Sequence, residues 1–313
     1  MSDNELIERL LSGDRRALAR VISKVEDENP ETPDIISELY SHTGEALSVG
    51  FTGPPGAGKS SIIAKLIELY REEDKKIGVV SVDPSSPFTK GAILGDRIRL
   101  VDHFLDKNVF IRSMGNRGHL GGLAGGSRLA GLAMEAYGVD VVIYETMGVG
   151  QGEVEVASAA DTVVLCLQPG AGDAVQALKA GVMEIADIFC INKCDHPQAN
   201  EAKAQVRSVL EIGHDLNPDA PMPPILMTRG DTGEGIEELK EAIEEHRANL
   251  EESGGLEKRR RASQREFVVS WATHKMEKEM QERLEREDTE IMERVYHREL
   301  DPISASERLF EEI

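Results

Sequence analysis

ALSVGFTGPPGAGKSSIIAKLIELY, at residues 46–70, decides the fold of this 313-residue chain. An aliphatic stretch of strand length runs into GPPGAGKS at residues 53–60, and a helical segment follows at once. The octapeptide matches the pattern G-x-x-x-x-G-K-[ST] at every defined position, in the strand–loop–helix context that the pattern requires. The sequence therefore predicts a phosphate-binding loop of the P-loop type.

The residue types in this loop suit phosphate binding. Glycines let backbone N–H groups turn inward around phosphate oxygens, where a side chain would clash, and the helix N-terminus adds the positive end of its dipole. Lys59 is expected to reach the β and γ phosphates, and Ser60 to ligate Mg²⁺. The predicted nucleotide contacts in the loop are Gly53, Gly56, Ala57, Gly58, Lys59, Ser60 and Ser61.

Six further aliphatic runs of strand length follow, and helical segments separate them. Several runs are continuous rather than alternating, as expected for strands that helices cover on both faces. Strand–helix–strand repetition of this density indicates a largely parallel sheet. We therefore predict a doubly wound α/β domain of the P-loop NTPase class. The runs are KIGVVSVD (76–83), NVFIRSM (108–114), VDVVIYET (139–146), DTVVLCLQ (161–168), DIFCINK (187–193) and PPILMT (223–228).

Helical segments flank this domain. Residues 1–43 carry apolar residues at helical spacing, interrupted by Pro30 and Pro33, and predict an N-terminal helical cap. Residues 44–250 form the predicted nucleotide-binding domain. After ESGG at 252–255, which we interpret as a linker, residues 251–313 are charged and helical. Their apolar stripe predicts a dimer contact, with packing on the core domain as the alternative. The stripe comprises Phe267, Trp271, Met276, Met280, Leu284, Ile291 and Val295.

Composition excludes some classes of partner. The formal net charge of -21 repels nucleic acid and anionic membranes, since both require a clustered basic surface. The one basic run, residues 258–261, is flanked by glutamates and predicts a solvated helix face. Cys166, Cys190 and Cys194 lack metal-ligand spacing and predict reduced thiols. With no signal-peptide pattern and no apolar stretch of about 20 residues, we expect a cytoplasmic protein.

Asn192-Lys193-Cys194-Asp195 follows a predicted strand well downstream of the phosphate loop. This is the place where a guanine-specificity element N-K-x-D is expected in a P-loop protein. The Asp195 carboxylate can accept hydrogen bonds from guanine N1–H and the 2-amino group, whereas adenine would leave the acid unpaired. The sequence therefore predicts Asn192, Lys193 and Asp195 as base-reading residues, with GTP and GDP as the nucleotides.

Acidic residues at strand ends are candidates for the hydrolytic centre. Glu145 follows the strand VDVVIY and is suited to hold Mg²⁺ or to orient the attacking water. Gly148 would bring its N–H group to the γ-phosphate, so the catalytic prediction is Lys59, Glu145 and Gly148. Asp83 and Asp96 are further candidates for the Mg²⁺ shell. Each acid could instead be a turn or cap residue.

With these motifs in place, the chain resembles the MeaB/ArgK family, GTPases that chaperone adenosylcobalamin-dependent mutases, chiefly methylmalonyl-CoA mutase. The motifs occur in family order across residues 45–235, and the flanking helices resemble the family's homodimeric architecture. Besides the phosphate loop and NKCD, the resemblance rests on VDPSSPFTKGAILGDRIR, RGHLGGLA, ETMGVGQGEVEVA and QPGAGDAVQALKAG.

The resemblance also implies roles for individual residues. Asp83, Asp96 and Glu145 join Ser60 in the Mg²⁺ and switch network. The predicted switch residues are Gln151, Asp173, Gln176 and Lys179. The sequence departs from the family pattern in two places: Gly152 stands where serine is expected, and Thr228-Arg229-Gly230 replaces the usual serine-alanine of the last specificity loop.

The implied mechanism is a gate: GTP and Mg²⁺ hold the switch segments, and hydrolysis releases them and changes the fit to the mutase. The gate would admit intact cobalamin cofactor to the mutase and eject damaged cofactor. Intrinsic hydrolysis is expected to be slow, because the partner is expected to complete the catalytic site. The expected partners are the mutase, a cobalamin adenosyltransferase and a second copy of the chain. Three alternatives remain: a nickel-insertion GTPase, a transport-associated kinase, and a scaffold that binds nucleotide without turnover.

Overall fold

A computed structural model describes residues 2–84, 100, 103–116, 122–146, 159–170, 182–216, 221–287 and 291–311. In these residues, seven strands form one sheet in the order β3-β2-β4-β1-β5-β6-β7, and every pairing between them is parallel. The predicted doubly wound α/β class is confirmed, and the sheet is parallel throughout. The strands are β1 (Leu47–Thr52), β2 (Ile77–Pro84), β3 (Val109–Asn116), β4 (Val141–Thr146), β5 (Thr162–Leu167), β6 (Ile188–Ile191) and β7 (Ile225–Met227).

Helices precede, connect and follow these strands. In the described residues, short 3₁₀ turns occur at Tyr40–His42 and Val182–Glu184. No helix of this part of the chain is long and apolar enough to cross a bilayer. The α-helices are α1 (Asp3–Leu11), α2 (Arg15–Glu26), α3 (Thr32–Leu39), α4 (Lys59–Glu72), α5 (Gly122–Tyr137), α6 (Ala199–Leu216), α7 (Ile236–Glu252), α8 (Gly255–Glu287), α9 (Ile291–Tyr296) and α10 (Pro302–Glu311).

The strands bury both of their faces, because successive side chains point to opposite sides of the sheet. In β4, Val142 and Tyr144 pack with α1–α3 and α5, whereas Val141 and Ile143 pack with α4 and α7. Helix α6 covers β5 and β6 on the side opposite α4 and α7. Each buried aliphatic side chain contributes about 1.5–3 kcal/mol, which explains the continuous aliphatic runs of the sequence.

The N-terminal helices are part of the first of these cores. Side chains of Asp14 and Ser2 cap α2 and α1 by accepting hydrogen bonds from backbone N–H groups. The apolar faces of α1 and α2 then pack with α5 and with Val80 and Val82 of β2. These helices therefore lie directly on the sheet, and the predicted domain division at residue 44 remains a prediction.

Helix α8 packs on its own chain along its first half. It begins after a two-residue turn, so the predicted linker ESGG is reduced to Ser253 and Gly254. Phe267 and Trp271 pack against the core formed with α5, and a Cβ on Gly125 would lie 2.9 Å from the Trp271 ring. Met276 is 46% exposed. The first members of the apolar stripe thus contact their own chain.

The basic run at 258–261 differs from the predicted solvated face at two positions. Arg259 forms a bidentate pair with Asp187, both distances being 2.8 Å. Arg260 pairs with Asp161 at 3.0 and 2.6 Å. Both carboxylates precede strands at the amino end of the sheet, where burial makes a cationic partner necessary. The interpretation as a solvated face is wrong for these two arginines.

Candidate functional site

The phosphate loop connects β1 to α4 between β4 and β5, at the carboxyl end of the sheet, where open α/β sheets bind ligands. Two glycines are required by its geometry. Gly53 has φ 130°, and a Cβ there would lie 2.0 Å from the Cys166 carbonyl oxygen. Gly58 has φ 89°, and its Cβ would lie 2.0 Å from Asn192 Nδ2. The loop is therefore closely packed against β5 and the segment after β6.

Lys59 begins α4 and is only 6% exposed. Its ammonium group donates to the Gly53 carbonyl oxygen at 2.5 Å and to that of Pro54 at 3.1 Å. A buried cation held over the loop by backbone oxygens is well placed to exchange these partners for phosphate oxygens. Ala57 is fully buried in the core beneath the loop, and Ser61 follows in the first turn of α4.

Ser60 and Glu145 meet beside the loop. The Ser60 hydroxyl donates to Glu145 Oε1 at 2.5 Å, and the Ser81 hydroxyl donates to Oε2 at 3.1 Å. Glu145 is 5% exposed, in register with Ser81 on β2 and Phe51 on β1. A hydroxyl and a carboxylate are the hard oxygen donors that Mg²⁺ prefers. The oxygen atoms of these residues therefore fit a magnesium ion, which they would hold directly or through water.

The remaining predicted residues of the hydrolytic centre are less fully described. Asp83 lies near the carboxyl end of β2, in register with Gly115 of β3, so its backbone is at the correct edge of the sheet. The other members lie outside the described residues: Asp96, Gly148, Gln151, Asp173, Gln176 and Lys179. The predicted roles of all these residues stay predictions.

The base-reading element follows β6, on the other side of the loop. Asn192 Nδ2 donates to the Ala57 carbonyl oxygen at 2.8 Å, and Asn192 Oδ1 accepts from the Gly230 N–H group at 3.0 Å. One side chain thus connects the phosphate loop to the loop after β7. Lys193 donates to the Gly56 carbonyl oxygen at 3.1 Å and to the Gln168 side chain. The N-K-x-D element and the phosphate loop are therefore joined into one unit by hydrogen bonds.

Asp195 projects from this unit with 52% of its side chain exposed. Arg229 Nε lies 3.6 Å from Asp195 Oδ1, and Arg229 also pairs with Asp231 at 2.9 Å. Arg229 is part of Thr228-Arg229-Gly230, the tripeptide that replaces the serine-alanine of the family pattern. An arginine therefore lies beside the predicted base-reading carboxylate. Thr228 is buried and contacts Asn192. The replacement therefore keeps the loop after β7 in contact with the loop after β6.

Sequence reasoning missed two residues of this arrangement as site members. Ser81 holds the second oxygen of Glu145, and its signal was a polar residue inside the aliphatic run KIGVVSVD. Arg229 contacts Asp195, and its signal was the departure from the family pattern. Neither contact follows from spacing alone, because each joins two segments that only the fold brings together.

The cysteines do not form a metal site in the described part of the chain, where no cluster of three metal-ligating residues occurs. Cys166 and Cys190 are buried, as predicted, and Cys194 is partly exposed. The pKa of the Cys166 thiol is raised by its contact with Cys190 and by burial, and burial raises the pKa of Cys194. Thiols with raised pKa values are poor metal ligands and nucleophiles.

Known proteins resemble the chain over most of its length. A family model described as Methylmalonyl Co-A mutase-associated GTPase MeaB matches residues 18–285. A Pyrococcus horikoshii relative classed as a GTPase is 47% identical and covers 99% of this chain and 98% of its own. GTPase ArgK of Escherichia coli is 37% identical, and the match covers 88% of this chain and 84% of ArgK. The Caenorhabditis elegans protein named methylmalonic aciduria type A homolog, mitochondrial, is 32% identical, with 84% and 70% covered.

A solved structure has the same fold. The crystal structure of a LAO/AO transport system kinase superimposes with a TM-score of 0.72 at 29% identity, and the match covers 99% of this chain and 96% of the other. The flanking helices are therefore included in the likeness as well as the sheet.

Proposed function

The chain belongs to the MeaB family of methylmalonyl-CoA mutase-associated GTPases, and from this premise we propose that it gates the cofactor of an adenosylcobalamin-dependent acyl-CoA mutase. It is a GTPase. The finer proposal is a chaperone, with methylmalonyl-CoA mutase as the client, that admits intact cofactor and ejects damaged cofactor. The choice of client is supported by the family model, and the nucleotide switch by the contact of Ser60 with Glu145, the acid that precedes the predicted switch segment.

In the proposed cycle, the loop N–H groups and Lys59 bind the phosphates of GTP. Ser60 and Glu145 would hold Mg²⁺, directly or through water, with Asp83 and Asp96 as further acids of the shell. Bound Mg²⁺ supplies positive charge that offsets the charge developing on the phosphate oxygens. We propose that Glu145 exchanges its hydrogen bond with Ser60 for contacts at the nucleotide, and that this exchange sets the position of the residues after it.

The base side selects GTP in this proposal. Asp195 accepts from guanine N1–H and the 2-amino group, while Asn192 and Lys193 fix the loop that carries it. Gly148 and Gln151 would sense the γ-phosphate, and Asp173, Gln176 and Lys179 would transmit the nucleotide state to the mutase. Intrinsic hydrolysis is slow in this proposal, and binding of the mutase accelerates it.

We also propose a homodimer, built from three segments with the predicted boundaries 1–43, 44–250 and 251–313. The second half of α8 and the helices after it supply the contact, because Met276, Met292 and Tyr296 remain exposed there. Light scattering gives the molar mass of the purified chain and of a variant that ends at residue 275, and so tests whether the chain is a dimer. A monomeric full-length chain would contradict the dimer.

A cobalamin adenosyltransferase is the proposed second partner, since it would deliver the cofactor.

The decisive experiment measures GTP hydrolysis by the purified protein, alone and with a cobalamin-dependent methylmalonyl-CoA mutase. Lys59→Ala is run beside it, and Lys65→Ala, a partly exposed lysine of the same helix, is the matched control. We expect stimulation by the mutase in the native protein and in the control, and none in Lys59→Ala. Hydrolysis indifferent to the mutase would remove this client and leave the GTPase. Single-turnover assays separate a switch from a scaffold without turnover.

A further inference from the structure

A cavity of about 280 Å³ lies away from the nucleotide site, on the sheet face that α5 covers. Its walls come from α3, α5, the residues before β5 and the first turns of α8. None of the predicted nucleotide-site residues lines it. The volume is just below that of typical small-molecule pockets, about 300–1,000 Å³, so the cavity suits a small metabolite.

Arg128 brings an uncompensated charge to this cavity. Its Nη1 donates to the Ser263 carbonyl oxygen at 2.9 Å and to Ser263 Oγ at 2.7 Å, and its guanidinium lies 4.8 Å from the centre of the Phe267 ring. Among the described residues, no carboxylate pairs with Arg128, and its Nε and Nη2 donate no hydrogen bond. Burial lowers the pKa of Arg128, as expected for a cation with no anionic partner.

Tyr144 provides a second unused donor. It is 2% exposed and lines the cavity, and its hydroxyl makes no hydrogen bond to the described part of the chain. The hydroxyl lies against Gly131, where a Cβ would be only 1.9 Å away, so glycine is needed for this approach. A tyrosine hydroxyl is neutral in neutral solution and can donate one hydrogen bond.

The other charged groups of the cavity wall are already engaged. Arg260 pairs with Asp161, and Arg259 pairs with Asp187. Glu135 accepts from the Gly44 N–H group at 2.7 Å, and burial raises the pKa of its carboxyl. Apolar wall is supplied by Ile36, Leu129, Leu132, Phe267 and Val268. The cavity thus combines an apolar wall with one unpaired cation and one unpaired hydroxyl.

We propose that this cavity is a binding site for a small aliphatic carboxylate. The carboxylate accepts hydrogen bonds from Arg128 and Tyr144, and the alkyl part contacts Leu129 and Leu132. A planar carboxylate matches the fork of a guanidinium, and a single negative charge is what one arginine neutralises. A phosphate dianion would bring a second charge into a wall that already contains the Glu135 carboxyl.

The position of the site connects it to the nucleotide site. Tyr144 immediately precedes Glu145 on β4, and Ala159 and Ala160 follow the predicted switch segment. An occupant is therefore expected to alter GTP hydrolysis at least about twofold, which corresponds to a shift of at least about 0.4 kcal/mol in the barrier. This coupling rests on the proposed function, whereas binding does not. Saturable binding without any change in hydrolysis would overturn the coupling.

Isothermal titration calorimetry of the full-length protein tests the binding with sodium acetate, butyrate, hexanoate and phosphate at constant ionic strength. Fluorescence of Trp271, the single tryptophan, locates the site, since its ring lies 6.0 Å from that of Phe267. We expect saturable binding of butyrate or hexanoate, weakened about tenfold or more in Arg128→Gln. Arg265→Gln, an exposed arginine of α8, is the matched control and should bind as the native protein does.

Tyr144→Phe guards against loss of folding, because it removes one hydroxyl and keeps the core volume. We expect it to weaken carboxylate binding about threefold to tenfold, with an unchanged thermal midpoint. No saturable binding of any carboxylate by the native protein would overturn the proposal. Carboxylate affinity equal to that of the native protein in both Arg128→Gln and Tyr144→Phe would also overturn it. Binding of phosphate as tight as that of hexanoate would overturn the carboxylate assignment.

Discussion

The Ser60 hydroxyl is bonded to Glu145 Oε1 at 2.5 Å, across 85 residues of sequence. This contact joins the first turn of α4 to the end of β4, the two elements that meet beside the phosphate loop. Ser81 occupies the other carboxylate oxygen at 3.1 Å. Both oxygens of this buried acid thus accept hydrogen bonds from hydroxyl groups beside the phosphate loop. The proposed exchange of Ser60 for contacts at the nucleotide therefore begins from a defined position of Glu145.

Glu145→Gln removes the negative charge and keeps the shape. We expect GTP hydrolysis to fall about 100-fold, the lower end of the effect of removing a positioned acid or base, while GDP affinity changes less than about tenfold. Ser81→Ala, which frees one oxygen of Glu145, should slow hydrolysis by a smaller factor. Single-turnover hydrolysis and fluorescent-nucleotide titration measure both quantities. An unchanged rate in Glu145→Gln would contradict its catalytic role.

Gly58→Ala should weaken nucleotide binding, because its Cβ would lie 2.0 Å from Asn192 Nδ2. Gly13→Ala is the matched control: its φ of 87° resembles the 89° of Gly58, and nothing lies within 4 Å of its Cβ. Both variants carry the cost of about 1–2 kcal/mol for a left-handed alanine. We expect about a tenfold loss of GDP affinity in Gly58→Ala alone. Equal nucleotide affinity in the two variants would show that the clash is relieved without disturbing the loop.

The strands and the phosphate loop could be predicted from the sequence because their signals are local. A strand buried on both faces is a continuous aliphatic run, and G-x-x-x-x-G-K-[ST] places its chemistry within eight residues. The contacts of Glu145 with Ser60 and Ser81 depend on strand register, since β2 and β4 are neighbours in the sheet but are separated by β3 in the sequence. The side-chain arrangement of the site therefore required the fold.

The packing of α8 on its own chain also could not be predicted from the sequence. Arg259 meets Asp187 across 72 residues, and Arg260 meets Asp161 across 99. A basic run flanked by glutamates has the same local pattern whether water or buried carboxylates satisfy it. Only the amino ends of β5 and β6, brought together by the sheet, decide between these outcomes.

Asp195→Asn should change the preferred base of the bound nucleotide from guanine to xanthine. The carboxylate can accept from guanine N1–H and the 2-amino group, whereas an amide can donate to the 2-oxo group of xanthine. Losing two charge-assisted hydrogen bonds of about 1.5–3 kcal/mol each predicts a fall in GTP affinity of at least about 100-fold. Asp231→Asn is the control, because Asp231 also pairs with Arg229 but is 67% exposed beside the site. Competition binding between GTP and XTP gives the ratio of the two affinities. A variant that still prefers GTP would contradict the assignment of Asp195.

Asp187→Asn should lower stability in a pH-dependent way. Burial alone would raise the pKa of the Asp187 carboxyl, but hydrogen bonds from His246 and Arg259 outweigh it and hold the pKa below the ordinary 3.8. A lowered folded-state pKa contributes stability that is fully present above the unfolded pKa and is lost as the pH falls through the folded value. The destabilisation by Asp187→Asn should therefore be greatest at neutral pH and should shrink below pH 3.8.

The magnitude at neutral pH follows from the burial of the pair. Removing one partner of a buried ion pair costs about 3–5 kcal/mol, and the 29% exposure of Arg259 reduces this to about 2 kcal/mol. Urea denaturation from pH 7 to pH 3 measures the difference between variant and native protein, with the exposed Asp231→Asn as control. Because Asp187 joins β6 to α8, Arg259→Gln should be nearly as destabilising, and adding it to Asp187→Asn should cost little more. A difference in free energy of unfolding that stays constant across this pH range would refute the ionic contribution of Asp187.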